Sequence, residues 1–199
     1  MKKIETIWHY LLYSALKEHN FKFTQKELAK KFDYSLSTIN YSLTIPTDIG
    51  AIRKESKFFI LENFEKLLYY WASVRNFSKD LLYSTYLAGE IKDIQGQIPA
   101  EAIFAGYTAA SYWLKEPAAD YDKIYCYMDE IQIKNIKERF LIVEKKKSNI
   151  FFLKKEKSMD QYGSYTTIPQ TFVDIWNMPD WYAQDFLKAL KEKINGILS

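Results

Sequence analysis

Apolar residues recur at the spacing of α-helices up to residue 43 of the chain, and a break and a short hairpin pattern follow. Seven of them lie one, three or four residues apart and predict a first helix over residues 4–19: Ile4, Ile7, Trp8, Leu11, Leu12, Ala15 and Leu16. The pattern breaks over residues 45–50, and residues 51–61 then predict a short β-hairpin. Residues 63–75 predict another helix, so we expect a first domain that ends near residue 62.

Residues 24–43 predict two short helices joined by a tight turn. Thr24 can cap the first of them, and Glu27, three residues on, completes a capping box. Ser35 can cap the second helix, whose buried side includes Ile39. This pattern is a helix-turn-helix, and a hairpin directly after it is the wing of a winged helix. The second helix of such a motif enters the major groove of DNA.

The second helix, over residues 35–44, carries no Lys or Arg, which limits how it could contact DNA. The candidates for base contacts are polar residues on its outer face: Ser37, Thr38, Asn40 and Tyr41. Phosphate contacts would come from the basic residues around it: Lys26, Lys30, Lys31, Arg53, Lys54 and Lys57. Asn40 could pair bidentately with adenine. The alternative is a winged helix that contacts only proteins, a protein–protein adaptor, and the uncharged helix keeps that alternative open.

The rest of the chain alternates between predicted strands and helices. Residues 76–96 give a poor pattern and are interpreted as mostly helix. The later elements are strands at 102–105 and 123–128, helices at 107–114, 131–140, 169–177 and 180–196, and a hairpin that pairs 140–143 with 149–153. The sequence thus predicts an α+β protein, with a winged helix-turn-helix over residues 1–62 and a small α/β domain over residues 63–199.

Composition narrows the possible functions. Because 48% of the 199 residues are hydrophobic and 17% aromatic, the chain can fill a core and is not globally disordered. A net charge of +3 is too small to indicate nucleic acid by itself, so the distribution of charge has to decide. A single cysteine, Cys126, excludes an internal disulfide, and with only His9 and His19 the histidine content argues against a zinc enzyme.

The amino-terminal run is amphipathic and lacks the pattern of a signal peptide. No apolar run approaches the roughly 18 residues that a membrane span needs. We therefore expect a cytoplasmic protein without a membrane partner. Residues 134–157 carry nine Lys or Arg against three Glu, which fits a second nucleic-acid surface, a docking face for an acidic partner, or a solvated hairpin.

One pattern resembles that of an enzyme. Nucleotidyltransferases place a glycine and a second small residue at a helix start, and two aspartates on the next strand to hold catalytic metal ions. Gly106 is followed by Asp120 and Asp122 at a matching spacing. However, Tyr107 takes the position of the small residue, and Lys123 stands where an apolar strand residue is expected. We expect two turn aspartates and no catalytic site, metal or cofactor, with an active nucleotidyltransferase as the alternative.

The remaining chemistry-bearing residues have simpler interpretations. Cys126 is expected to be a buried, inert thiol, and His9 a packed core residue. Trp176, Trp181 and Tyr182 could stack on bases, but their spacing around a proline favours a corner between two core helices.

Three segments of the second half, residues 103–114, 122–127 and 168–174, resemble the AbiEi-like transcriptional regulators. The resemblance rests on a Gly-x-x-Ala-Ala helix followed by an aromatic strand, and the order of elements is similar over most of the chain. It implies a winged helix followed by a degenerate nucleotidyltransferase-like domain. It further implies a repressor of its own promoter that acts as the antitoxin of a type IV toxin–antitoxin system, with a nucleotidyltransferase toxin as partner. Many winged-helix regulators form homodimers, but this chain shows no heptad seam.

Overall fold

The computed structural model describes residues 2–141 and 146–199 and has a mixed α+β fold. The chain divides into two compact units, one made of residues 1–75 and 194–199 and the other of residues 76–193. The helix at Phe64–Val74, which the sequence places beyond a first domain ending near residue 62, falls in the first unit.

The first unit begins with helix α1 and alternates helices with a small sheet. Its elements, in chain order, are α1 (Lys3–Glu18), β1 (Lys22–Phe23), α2 (Gln25–Phe32), α3 (Leu36–Asp48), β2 (Ile52–Lys54), β3 (Phe59–Leu61) and α4 (Phe64–Val74). The strands form an antiparallel sheet in the order β1-β3-β2. β2 and β3 are the hairpin that the sequence predicts, while β1 was not expected.

The start of each helix in the helix-turn-helix segment is set by local hydrogen bonds. Oγ1 of Thr24 accepts from the backbone N–H of Glu27 at 3.1 Å, and the Glu27 carboxylate accepts from the N–H of Thr24 at 3.1 Å. Oγ of Ser35 accepts from the N–H of Thr38 at 3.2 Å. Both caps predicted from the sequence are confirmed.

The core of the first unit is formed where α1 packs against α3 and α4. It is lined by apolar side chains that are almost completely buried: Ile7, Leu11, Leu12, Ala15, Leu28, Ile39, Leu43, Phe59, Leu67 and Trp71. A buried polar contact crosses it, in which Glu5 accepts from Nε1 of Trp71 at 3.1 Å and lies 3.4 Å from Nη1 of Arg75. Because burial of a lone carboxylate is costly, this pairing fixes how α1 and α4 meet.

Helix α3 is longer than the sequence predicts. We expected a break over residues 45–50, but the helix continues through Pro46 to Asp48. Proline has no N–H, so the carbonyl of Ser42, four residues earlier, loses its helical donor. Nε1 of Trp8 donates to that carbonyl at 2.7 Å instead, within the core. The buried indole therefore allows the helix to continue past the proline.

The second unit is built on a mixed sheet covered by helices. Its elements are β4 (Leu81–Thr85), α5 (Ile91–Gln97), β5 (Ile103–Ala105), α6 (Gly106–Leu114), β6 (Ile124–Met128), α7 (Ile133–Arg139), β7 (Ile150–Lys154), α8 (Ile168–Trp176) and α9 (Ala183–Leu198). The strand order is β4-β7-β6-β5, with β6 and β7 parallel and the other neighbours antiparallel. The last residues of α9 are grouped with the first unit.

Two expectations for this unit are wrong. Residues 76–96 are not mostly helix, because residues 81–85 form the edge strand β4, which pairs with β7. The predicted hairpin between residues 140–143 and 149–153 is wrong in its pairing, because β7 already has β4 and β6 on its two sides. Residues 142–145 of that prediction lie outside the described part of the chain.

Successive side chains of β6 point to opposite faces of the sheet, and the two faces differ in polarity. Ile124, Cys126 and Met128 point into an apolar cluster with residues of α5 and α7. Tyr125 and Tyr127 point to the opposite face, where both hydroxyls meet aspartates. The unit is thus a sheet with an apolar side and a side that carries buried polar groups.

Candidate nucleic-acid interface and a polar cleft

The outer face of α3 is polar and exposed, as the sequence predicts. Ser37, Asn40 and Tyr41 are exposed, and Tyr41 has 70% of its surface in contact with solvent. Thr38 is half-buried. The face also includes an apolar residue, Leu36, which is 49% exposed.

A cluster of hydroxyl groups marks the amino-terminal end of α3. Oγ of Ser35 lies 2.9 Å from Oγ of Ser37 and 2.9 Å from Oγ1 of Thr38. These hydroxyls are therefore held by the capping residue and by one another. Of the four residues predicted to contact bases, Ser37 and Thr38 are thus partly committed to the helix cap.

The structure adds Thr44 to the exposed face of α3. It lies one turn after Asn40, is exposed, and donates its hydroxyl to the Asn40 carbonyl at 3.3 Å. The exposed Asp48 ends the same helix. Because the sequence predicts a helix over residues 35–44, Asp48 was not expected to belong to it, and Thr44 was not among the predicted contact residues.

The basic residues of α2 lie on the surface. Lys26, Lys30 and Lys31 are all exposed. Nζ of Lys31 lies 4.6 Å from the ring centroid of Tyr10, which places its ammonium over an aromatic face. These three positive charges lie on the first helix of the two-helix segment, as the sequence predicts.

The basic residues of the β2–β3 hairpin differ in their surroundings. Nε of Arg53 lies 2.6 Å from Oε1 of Glu62, and its Nη1 also pairs with Glu55. Arg53 is exposed, but two carboxylates offset its charge, which weakens its suitability for phosphate contact. Lys57 is exposed near the hairpin turn.

Lys54 connects the hairpin to α3. Its Nζ donates to Oδ1 of Asn40 at 3.1 Å, and both side chains are exposed. The sequence predicts separate roles for these residues, one toward phosphate and one toward a base. The structure brings them together.

His9 is part of the core of the first unit. Its ring lies 5.6 Å from that of Trp71 and is completely buried. Desolvation by burial lowers the pKa of His9 from 6.5 to about 3. The imidazole is therefore neutral at physiological pH, and the predicted packing role is confirmed.

The second unit contains a cleft of about 1150 Å³ at the edge of the sheet where β6 and β7 begin. Its walls include the chemistry-bearing residues Gln95, Thr108, Asp120, Asp122, Lys123 and Asp180. Asp120 and Asp122 are exposed and precede β6, so the cleft does bring together the two aspartates singled out in the sequence.

Asp180 is the centre of a polar network beside this cleft. Its carboxylate pairs with Nζ of Lys123 and accepts from the hydroxyl of Tyr107 at 3.0 Å and from that of Tyr125 at 3.5 Å. Burial, and then the Asp180 charge, raise the pKa of both tyrosines above the ordinary value. Both hydroxyls therefore stay protonated and act as donors.

Asp122 belongs to the same kind of network. Its Oδ1 accepts from the hydroxyl of Tyr182 at 2.7 Å. Burial raises the pKa of Tyr182, and the hydrogen bond to Asp122 adds to the effect. Within the described residues, no group of three or more His, Cys, Asp or Glu side chains is arranged to hold a metal ion.

Gly106 and Tyr107 have structural roles that account for their sequence. Gly106 has φ +54°, and a Cβ atom there would lie 2.7 Å from Cε of Met178. Tyr107 is fully buried, and its ring lies 4.7 Å from that of Tyr182 and 5.1 Å from that of Phe186. Packing therefore explains both residues without reference to a bound phosphate.

The basic segment over residues 134–157 is partly neutralised. Lys154 pairs with Glu130 at 2.8 Å, and Lys155 pairs with Asp129 at 2.9 Å and with Asp160 at 2.8 Å. These three acidic residues lie outside the segment, which is why a count within it overstates the positive charge. Residues 142–145 of the segment lie outside the described part of the chain.

The aromatic residues near the end of the chain are more exposed than expected. Tyr182 is buried, but Trp176 is 46% and Trp181 79% exposed, so the predicted core corner is wrong for both tryptophans. Trp181 lines the cleft.

Cys126 is buried and free, and burial raises the pKa of its thiol, which confirms the expected inert cysteine.

Among the described residues, no helix has the length and apolar character needed to cross a membrane. Comparisons of the chain with protein-family models, with curated proteins and with solved structures give no match.

Proposed function

We propose that this protein is a DNA-binding transcriptional regulator and that its first unit is a winged helix that contacts double-stranded DNA. The observation that carries the proposal is the exposed polar face of α3, which is flanked by the lysines of α2 and by the β2–β3 hairpin. The order α1-β1-α2-α3-β2-β3, with the sheet order β1-β3-β2, is the arrangement in which a helix and a wing can approach one duplex together.

The distribution of charge supports this assignment. Lys26, Lys30 and Lys31 on α2 and Lys57 on the hairpin are exposed and suited to phosphate oxygens. Between them lies α3, which carries no Lys or Arg and offers hydroxyl, amide and aromatic groups. In this division of roles, the lysines supply affinity and α3 supplies the choice of sequence.

The resemblance to AbiEi-like regulators extends the proposal. The segments that carry it correspond to β5 with α6, to β6, and to α8, and these elements pack against one another. On this basis the protein is a repressor and antitoxin of a type IV toxin–antitoxin operon, whose toxin is a nucleotidyltransferase. The second unit would then be an inactive relative of such an enzyme. Because the fold alone does not determine function, this part rests on the resemblance.

The proposal is tested by binding of the full chain to the duplex upstream of its own coding sequence, measured by fluorescence anisotropy. We expect saturable binding to this duplex. Asn40→Ala is expected to reduce about tenfold the preference for this duplex over a scrambled duplex of the same length. Equal affinity of wild type and Asn40→Ala for both duplexes would remove α3 from sequence recognition. Absence of DNA binding by the wild type would favour a protein–protein adaptor.

A second candidate, an active metal-dependent nucleotidyltransferase, is supported by the presence of Asp120 and Asp122 in one cleft. The experiment that separates it is incubation with labelled nucleoside triphosphates, magnesium and candidate acceptor RNAs or proteins. We expect no transfer. Transfer that is abolished by Asp122→Ala would replace the regulator proposal for the second unit.

A further inference from the structure

The contact between the hairpin and α3 determines which groups this surface presents. Nζ of Lys54 lies 3.1 Å from the side-chain amide of Asn40. An ammonium group carries only donors, so the Asn40 atom that faces it is the carbonyl oxygen Oδ1. The amide nitrogen Nδ2 is then turned away from the lysine. Together, Asn40 and Lys54 present mainly N–H donors to an approaching ligand.

The fold explains why Lys54 reaches α3. Ile52 and Lys54 are two residues apart in β2, so their side chains leave the same face of the strand. Ile52 is buried on the face that contacts α3, and Lys54 continues that face beyond the core. Asn40 follows the buried Ile39 and lies at the exposed side of α3. The strand register therefore places Lys54 on the face of β2 that contacts α3, within reach of Asn40.

Donors and acceptors distinguish the purine bases in the major groove. Guanine presents two acceptors, O6 and N7, whereas adenine presents the acceptor N7 and the donor N6. An asparagine reads adenine by using both its nitrogen and its oxygen. In this structure Lys54 occupies one of the two lone pairs of the Asn40 oxygen and adds its own N–H donors to those of Nδ2. The pair of side chains is therefore complementary to guanine.

We propose that Asn40 and Lys54 act as one recognition unit that selects a guanine, with Nδ2 of Asn40 and Nζ of Lys54 donating to the O6 and N7 acceptors. This inference rests on the proposed function, because it requires α3 to enter the major groove. It replaces the adenine predicted for Asn40 alone. It also gives Lys54 a role in reading sequence in place of a contact with phosphate alone.

The experiment is selection of bound duplexes from a random pool by the full chain, followed by sequencing, for the wild type and three variants. The base pair read by Asn40 is identified as the position where Asn40→Ala loses its preference. The wild type is expected to favour G·C over A·T there by about tenfold. Lys54→Ala releases the Asn40 oxygen, so the preference at that position is expected to change from guanine to adenine.

Lys57→Ala is the matched control. Lys57 is another exposed lysine of the same hairpin, and its loss is expected to weaken all sequences in proportion while leaving the selected bases unchanged. Because Asn40 and Lys54 are exposed, their alanine variants are expected to keep the circular dichroism spectrum and melting temperature of the wild type.

The possible outcomes separate the two proposals. A defined binding site without guanine at the Asn40 position overturns the recognition unit and leaves DNA binding intact. The recognition unit is also overturned if Lys54→Ala retains guanine, or if it weakens all sequences alike as Lys57→Ala does. Failure of the wild type to retain any duplex overturns DNA binding, and the base assignment with it.

Discussion

The outer face of α3 and the cleft of the second unit are both rich in polar side chains, but they use them differently. In the cleft, Asp180 accepts from Lys123 and two tyrosines, and Asp122 accepts from Tyr182. On α3, Asn40 and Tyr41 face the solvent. Polar groups that bond to one another inside a fold hold it in one arrangement, whereas exposed donors are available to a ligand.

The difference between these regions shows that sequence spacing alone is a poor guide to chemistry. Gly106, Asp120 and Asp122 match the spacing of a nucleotidyltransferase. Yet Gly106 is needed for a left-handed backbone next to Met178, and Tyr107 fills the core beside it. The α3 face matches no catalytic pattern, but its exposed groups and flanking lysines are the ones that we propose to contact DNA.

The largest loss of stability is predicted for a substitution that tests whether the polar network of the cleft stabilises the fold. Asp180→Ala leaves Lys123 and the hydroxyls of Tyr107 and Tyr125 without their acceptor. Because the Asp180 side chain is only 6% exposed, we expect a loss of roughly 3 kcal/mol in the free energy of unfolding, measured with urea.

Asp120→Ala is the matched control for that experiment, since Asp120 lines the same cleft but is exposed. We expect it to change stability by no more than about 0.5 kcal/mol. Similar losses for the two variants would contradict the distinction between a structural and an exposed carboxylate.

A smaller loss of stability is predicted when the hydrogen bond from the core to α3 is removed. Trp8→Phe removes the indole N–H that serves the Ser42 carbonyl, and it leaves that buried acceptor unpaired. We expect a loss of about 2 kcal/mol in a urea titration. Adding Pro46→Ala supplies a helical N–H to the same carbonyl, so the double variant is expected to recover roughly 1 kcal/mol.

The double variant makes this explanation specific. Pro46→Ala in the wild-type background should have a smaller effect, because Trp8 already satisfies the Ser42 carbonyl. An equal effect of Pro46→Ala in both backgrounds would mean that the indole does not replace the missing helical donor.

Acidification is expected to lower the stability of the first unit, which contains both histidines of the chain. Burial lowers the pKa of His9 to about 3, while in the unfolded chain it returns to about 6.5. Between these values the unfolded state binds a proton that the folded state does not. Stability should therefore fall as the pH falls, by about 1.4 kcal/mol per pH unit from His9 alone.

The contribution of His9 is measured as the difference between variants in urea titrations at pH 7 and pH 5. His9→Gln should show a weaker pH dependence of stability than the wild type, because it removes the buried imidazole. The same pH dependence in His9→Gln and the wild type would show that His9 is not the titrating group.

Local signals in the sequence predict much of the first unit. The caps at Thr24 and Ser35 and the apolar spacing of α1 depend on residues within a few positions of one another, and they are confirmed. The extension of α3 past Pro46 depends on Trp8, which is 34 residues from the carbonyl it serves, and no local pattern contains that contact. For the same reason the strand β4 was missed, since its partner β7 is far along the chain.

The candidate interface was predictable only in part. Exposure of Asn40 and Tyr41 follows from the helical phase set by Ile39. The contacts of the hairpin do not follow from such a phase. The charge of Arg53 is offset by Glu62, and Lys54 contacts Asn40. Both contacts form only because β2, β3 and α3 fold together.

The salt dependence of binding between the full chain and its upstream duplex shows whether this surface contacts DNA phosphates. If the flanking lysines contact phosphates, the logarithm of the association constant should fall linearly with the logarithm of salt concentration. Lys57→Ala and Lys26→Ala should each reduce the magnitude of that slope by about 0.9. No binding at low salt, or a slope that neither substitution changes, would contradict the assignment of this surface to DNA.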